Sequence, residues 1–189
     1  PYLCGYRKGY NIQYALLAMI EKWKRTLDNK GIISGVVLID LSKTFDTINH
    51  ELLLAKLYAY GFSKEALRLI LSYLSERWQR TKVYNSFSSW TELLQGVPQG
   101  SILGPLLFNI YLNDLFYVPL DTSLCNFADD NTLYACDVSL GDLVAKLESS
   151  ALLVIDWSKN NYMKLNESKS HLLISGNKVE VIIAEVGEA

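Results

Sequence analysis

The chain has 189 residues, half of them hydrophobic, with 18 basic against 20 acidic side chains and a formal net charge of −2. That length and apolar content support one domain with a core and exclude a disordered chain. A nucleic-acid binder is usually basic, so the charge balance counts mildly against nucleic acid as a partner without excluding one. Three cysteines, Cys4, Cys125 and Cys136, have no C-x-x-C spacing. They suggest buried, reduced thiols, with neither a disulfide framework nor a zinc site. Two histidines, His50 and His171, leave no His-rich metal site and no Ser-His-Asp hydrolase. No apolar run reaches the ~18 residues of a membrane span, and no signal peptide is visible. The first residues read as the middle of a longer protein.

Residues 12–28 set Ile12, Ala15, Leu16, Met19, Ile20, Trp23 and Leu27 on one helical stripe, with Gly31 as a stop. "GVVLID", 35–40, is a short β-branched run suited to a strand buried on both faces, and it ends on an aspartate. Asn49 caps a helix over 50–60 closed by Gly61, and Ser63 caps a second, "KEALRLILSYLSE". Extended pieces around 79–84 and 90–95, joined by "NSFSS", predict a hairpin. The turn-rich "GVPQGS", 96–101, leads into an apolar helix, "ILGPLLFNIYLNDLFYV", with Pro105 near its first turn. Residues 123–135 read as strand, turn, strand. A helix over 140–159 carries Leu143, Leu147, Leu152, Ile155 and Trp157, and "HLLIS" is a strand. The closing "VEVIIAEVGEA" is left without an element. Helices mixed with an antiparallel sheet predict an α+β layer.

Within that frame "NFADDNTL", 126–133, sets Asp129 and Asp130 side by side at a hairpin tip, and Asp40 ends another strand. Strand ends converge at a sheet edge. Three carboxylates there form a hard, all-oxygen donor set suited to Mg²⁺. Without a cation their mutual repulsion raises pKa values. Two such ions ~3.5–4 Å apart can activate a 3′-hydroxyl and stabilise a leaving pyrophosphate. A turn that simply favours aspartate, with Asp40 incidental, accounts for the same residues without chemistry. Spacing alone leaves both readings open.

"LIDLSKTFDTINH", "QGVPQGSILGPLLFNIYLND" and "FADD", in this order and at this spacing, resemble the palm of reverse transcriptases from non-LTR (LINE-like) retrotransposons. The likeness runs from "CGYRKG" to "LNESKSHLL". It implies an α+β polymerase palm, an antiparallel sheet packed with helices, with fingers partial and thumb absent. Residues 1–175 would be the reverse transcriptase domain and 176–189 a tail. The implied reaction adds dNTPs to a DNA primer on an RNA template with two Mg²⁺ ions, Mn²⁺ being the other candidate. The implied setting is nuclear and without a membrane. The oligomeric state stays open.

The resemblance also implies roles. Asp40 resembles the aspartate shared by both metals, Asp129 the second ligand, and Asp130 a weaker or indirect contributor. The Leu41 carbonyl would complete the nucleotide-side metal. Phe45 would lie under the sugar of the incoming nucleotide and exclude a 2′-hydroxyl, a role compatible with a place in the core. Gln99 and Gly100 would meet nucleotide or template, while Ser101 caps the next helix. Lys169 would sit near the pyrophosphate, with Lys164 its competitor, and Arg7 and Lys8 would touch template phosphates. Thr44, Tyr6 and Phe127 depart mildly from the family's common Ala, Phe and Tyr. No endonuclease domain or Cys/His knuckle is present in the sequence. Two rivals share these residues: an inactive relic or nucleic-acid-binding palm, and another palm enzyme such as an RNA-copying or maturase-like polymerase.

Overall fold

The computed structural model describes residues 5–6, 9, 11–27, 31–176 and 179–185. Cys4, Arg7 and Lys8 lie outside them. The chain divides into two compact units, 1–42 with 113–189 and 43–112.

In the first unit, α1 (Ile12–Leu27) precedes β1 (Ile33–Ile39). An antiparallel sheet of five strands is ordered β11 (Val179–Glu185), β10 (His171–Gly176), β1, β8 (Asp130–Asp137) and β7 (Ser123–Phe127). β1 lies at its centre. Ser34 to Val37 are buried as its apolar run predicts, while Leu38 is exposed. α5 (Leu140–Asn160) packs along β1 and β8, capped by the Ser139 hydroxyl, which accepts from the Asp142 N–H. Its close approach needs Gly35, because a Cβ there would meet Leu147 Cδ1 at 2.5 Å. Leu133, Leu143 and Leu147 fill this core. A small antiparallel pair, β2 (Leu41–Ser42) with β9 (Lys164–Leu165), continues the chain beyond β1.

The tail that lacked a sequence assignment contains β11, paired antiparallel with β10. Its β-branched content and the Gly176-Asn177 pair before it suit the second strand of a hairpin, a local signal that the sequence reading left unused. Cys125 and Cys136 are only half buried. The expectation of burial fails because both sit in β7 and β8 at positions the sheet covers incompletely. Cys136 Sγ donates to Tyr134 Oη at 2.6 Å.

In the second unit, α2 (His50–Ala59) starts where Asn49 Oδ1 accepts from the Leu52 N–H, and α3 (Lys64–Leu74) starts where Ser63 Oγ accepts from the Ala66 N–H. Gly61 turns the chain between them at φ +87°. The hairpin differs from expectation. β3 (Trp78–Gln79) pairs with β6 (Thr91–Glu92), while β4 (Lys82–Val83) and β5 (Ser86–Phe87) close tightly on Tyr84 and Asn85. Part of "NSFSS" is therefore strand, because Tyr84 takes the positive φ of a two-residue turn. Arg80 lies over the Phe87 and Trp90 rings, 4.0 and 4.6 Å from their centroids. α4 (Leu103–Leu112) is capped by Ser101, whose Oγ accepts from the Gly104 N–H at 2.9 Å. The predicted helix stops early, giving way to a 3-10 turn over Asn113–Tyr117 in the first unit. Ile48, Leu53, Leu57, Leu107 and Phe108 form the second core.

Candidate active site

The hairpin of β7 and β8 pairs Asn126 with Asn131 and Phe127 with Asp130, so Ala128 and Asp129 form its two-residue turn. Ala128 takes φ +56°. Two buried amides hold this strained turn. Asn126 Nδ2 donates to the Ala128 carbonyl at 2.8 Å and to Asn131 Oδ1 at 3.0 Å, and Asn131 Nδ2 donates to the Asp129 carbonyl at 3.1 Å. β8 also pairs with β1, in a register that ends at Ile39 opposite Asn131. Continued by one residue, that register sets Asp40 level with Asp130. The sheet therefore delivers Asp40 and the Asp pair to one edge.

Electrostatics record the crowding. The Asp130 carboxyl is raised above the ordinary 3.8 by desolvation first, then by the charges of Asp129 and Asp40; Lys169 pulls the other way. The residue is exposed, so solvent screens much of this effect. Asp40, Asp130 and Lys169 line a cavity of about 380 Å³ with Phe127 and residues of α1. Asp129 stands in the turn, where its charge also raises the Tyr6 phenol, after desolvation. Lys164 pairs with Ser42 in β9.

A raised carboxylate pKa means that the folded chain holds this proton to higher pH than the unfolded chain does. Stability is then lost as pH rises from near 3.8 through the raised value. Asp130→Asn removes that loss. We expect the metal-free variant to melt with the unmodified chain at the acid end and up to about 2 °C above it near neutrality, a screened effect below about 1 kcal/mol. Melting curves in pH steps check this, and a gap that stayed constant with pH would refute it.

The donor set is hard oxygen and gathered at one edge, which fits a divalent ion in type and placement. Among the described residues, however, no three His, Cys, Asp or Glu side chains converge as an assembled metal shell. The Asp40 carboxylate faces Asn166, whose Nδ2 donates to its Oδ2 at 2.7 Å. Leu41 is buried opposite Leu165. The Asn166 N–H donates to the Asp40 carbonyl, so the next pair is non-hydrogen-bonded and the Leu41 carbonyl points away from β9.

These motifs decide the family when set beside known proteins. The family model described as reverse transcriptase (RNA-dependent DNA polymerase) matches residues 1–184. The chain belongs to the reverse transcriptase family. It is 27% identical over 173 residues to a probable RNA-directed DNA polymerase from transposon BS of Drosophila melanogaster, covering 88% of this chain and 19% of that protein. It is 26% identical over 172 residues to the RNA-directed DNA polymerase from mobile element jockey of the same species, covering 87% and 19%. This reverse transcriptase chain thus spans about a fifth of the length of these relatives. Its resemblance to non-LTR elements is borne out. Among solved structures, telomerase from Candida albicans, in complex with a TWJ fragment of telomeric RNA, superposes with a TM-score of 0.61 at 12% identity, covering 98% of this chain and 34% of that one. Telomerase from Candida tropicalis gives 0.59 at 13%, covering 92% and 29%. At such identities the likeness concerns the fold, which is a partial palm of the expected α+β type.

The first unit holds Asp40, Leu41, Asp129, Asp130 and Lys169, of which Asp40, Asp130 and Lys169 line one cavity. The second unit holds Phe45, Gln99 and Gly100. Phe45 stacks on Phe108 with centroids 4.7 Å apart, so it has the core contact that its sequence reading allowed. Gln99 Nε2 donates to Asp46 Oδ1 at 2.9 Å, and Gly100 has φ +82°. Sequence reasoning missed Asn126, Asn131, Asn166, Ser170 and Gly5. Asn166 lies within the quoted "LNESKS", so the motif marked its segment but not its partner. No helix of the described residues is long and apolar enough to cross a membrane.

Proposed function

We propose that this chain is the palm of an RNA-directed DNA polymerase of a mobile element, with residues 1–175 as its reverse transcriptase domain. The observation that carries the reading is the register that sets Asp40 level with Asp130 beside Asp129, with Lys169 on the same cavity. Asp40 and Asp129 would hold divalent ions, Mg²⁺ or Mn²⁺, with Asp130 contributing more weakly and the Leu41 carbonyl on the nucleotide side. When bound, such ions supply Lewis-acid activation of the primer 3′-hydroxyl and neutralise charge on the pyrophosphate. Lys169 holds a proton at Nζ for the leaving pyrophosphate. Phe45, braced by Phe108, presents a ring to the sugar of the incoming dNTP. Gln99, whose amide donates to Asp46, would meet nucleotide or template. By analogy with the family, the template would be RNA, the primer DNA and the setting nuclear.

Primer extension on an RNA template, with dNTPs and Mg²⁺ and the chain in its flanking context, tests this reading. Asp129→Asn is expected to lower the rate by about 10²–10³-fold, the scale of losing a main electrostatic element. Phe45→Ala, in the same assay, is expected to admit ribonucleotides. Extension that survives Asp129→Asn sinks the site. A well-folded chain without extension would instead be an inactive relic. Equal use of dNTPs and rNTPs by the unmodified protein sinks the role of Phe45.

A further inference from the structure

Asp40 is held by one five-residue segment through every polar group it has. The Asn166 N–H donates to the Asp40 carbonyl at 2.9 Å. Asn166 Nδ2 donates to the Asp40 carboxylate at 2.7 Å. The Asp40 N–H donates to Ser170 Oγ at 3.2 Å, and that hydroxyl donates to the Asn166 carbonyl at 2.9 Å. Ser170 thus occupies the second rung of the Asp40–Asn166 pair, and it is fully buried. The far end of the Asn166 amide is fixed as well, because Ser168 Oγ donates to its Oδ1 at 2.9 Å. The Asp40 carboxylate, which only accepts, sets which end of the amide faces it, and the Ser168 hydroxyl adapts to the other end.

The choice of an amide matters chemically. A lysine or arginine in its place would neutralise Asp40 and compete with a metal ion. A neutral donor orients the carboxylate through Oδ2, leaves the full negative charge, and leaves Oδ1 to a ligand. The same segment carries Lys169 into the cavity shared with Asp40 and Asp130.

We infer that Asn166, braced by Ser168 and Ser170, is a positioning residue that sets the Asp40 carboxylate for a divalent ion. The inference rests on the reading of Asp40 as a metal ligand. The polar contact to a ligating carboxylate belongs to the kind of outer interaction whose loss costs about 10–100-fold in metal affinity.

The test is a titration of the 189-residue chain with Mn²⁺, followed by electron paramagnetic resonance, with melting temperatures measured alongside. Asn166→Ala and Asn166→Leu, the latter keeping volume without a donor, are each expected to weaken Mn²⁺ binding about tenfold or more. Ser170→Ala keeps the amide and is expected to weaken it less. Asn166 variants that bind within twofold of the unmodified chain, while Asp40→Asn loses binding, overturn the inference and leave the metal site standing. Binding unchanged in Asp40→Asn, or absent from the unmodified chain, overturns the metal-site reading and the inference with it.

Discussion

Gly96→Ala is expected to destabilise the second unit by about 3 kcal/mol, a fall in melting temperature on the order of 10 °C. Two costs combine. Gly96 takes φ +85°, which costs an L-residue about 1–2 kcal/mol. A Cβ there would also meet the Asp46 Cα and carbonyl oxygen at 2.9 Å, both backbone atoms with no rotamer to yield. The loop cannot retreat cheaply. The Gly96 N–H donates to the Ile48 carbonyl and the Val97 N–H to the Phe45 carbonyl, each at 2.8 Å, while the Gly96 carbonyl lies 2.7 Å from His50 Nε2. Gly61→Ala separates the two costs, since Gly61 has φ +87° and open space around it. Thermal melts of both variants decide the matter. Equal losses would mean that the approach to Asp46 is irrelevant.

Gly5→Ala is expected to slow primer extension about 100-fold while costing only a few degrees of melting temperature. Gly5 is buried, and a Cβ on it would overlap the backbone nitrogen of Ala128 and lie 2.6 Å from its Cα. Ala128 is the turn residue immediately before Asp129. The turn already sits at positive φ under the two asparagines. Where relief comes by displacing the turn, Asp129 moves with it. The rate constant of extension against the unmodified protein is the measurement. A rate preserved within twofold would show that the turn tolerates the shift or that Asp129 is not where chemistry occurs.

Much of this protein was legible from the sequence because its signals are local. Asn49, Ser63 and Ser101 each cap a helix through an N–H three residues on, a distance set by helix geometry alone. The β-branched run before Asp40 and the turn around Asp129 are likewise short-range patterns, and the ordered motifs identified the family. What the sequence could not settle depends on register between distant strands. The clamp of Asn166 on Asp40 spans 126 residues. Asn126 and Asn131 look like turn formers until pairing buries them as partners. Gly5 looks like a loop glycine until Ala128 lies against it. The short pairs of the β3–β6 hairpin had no periodicity long enough to reveal their turn. A chain of residue types specifies which groups can donate, accept or repel. Only the closed sheet decides which of them meet, because each meeting is fixed by pairings whose energy is shared across the whole fold.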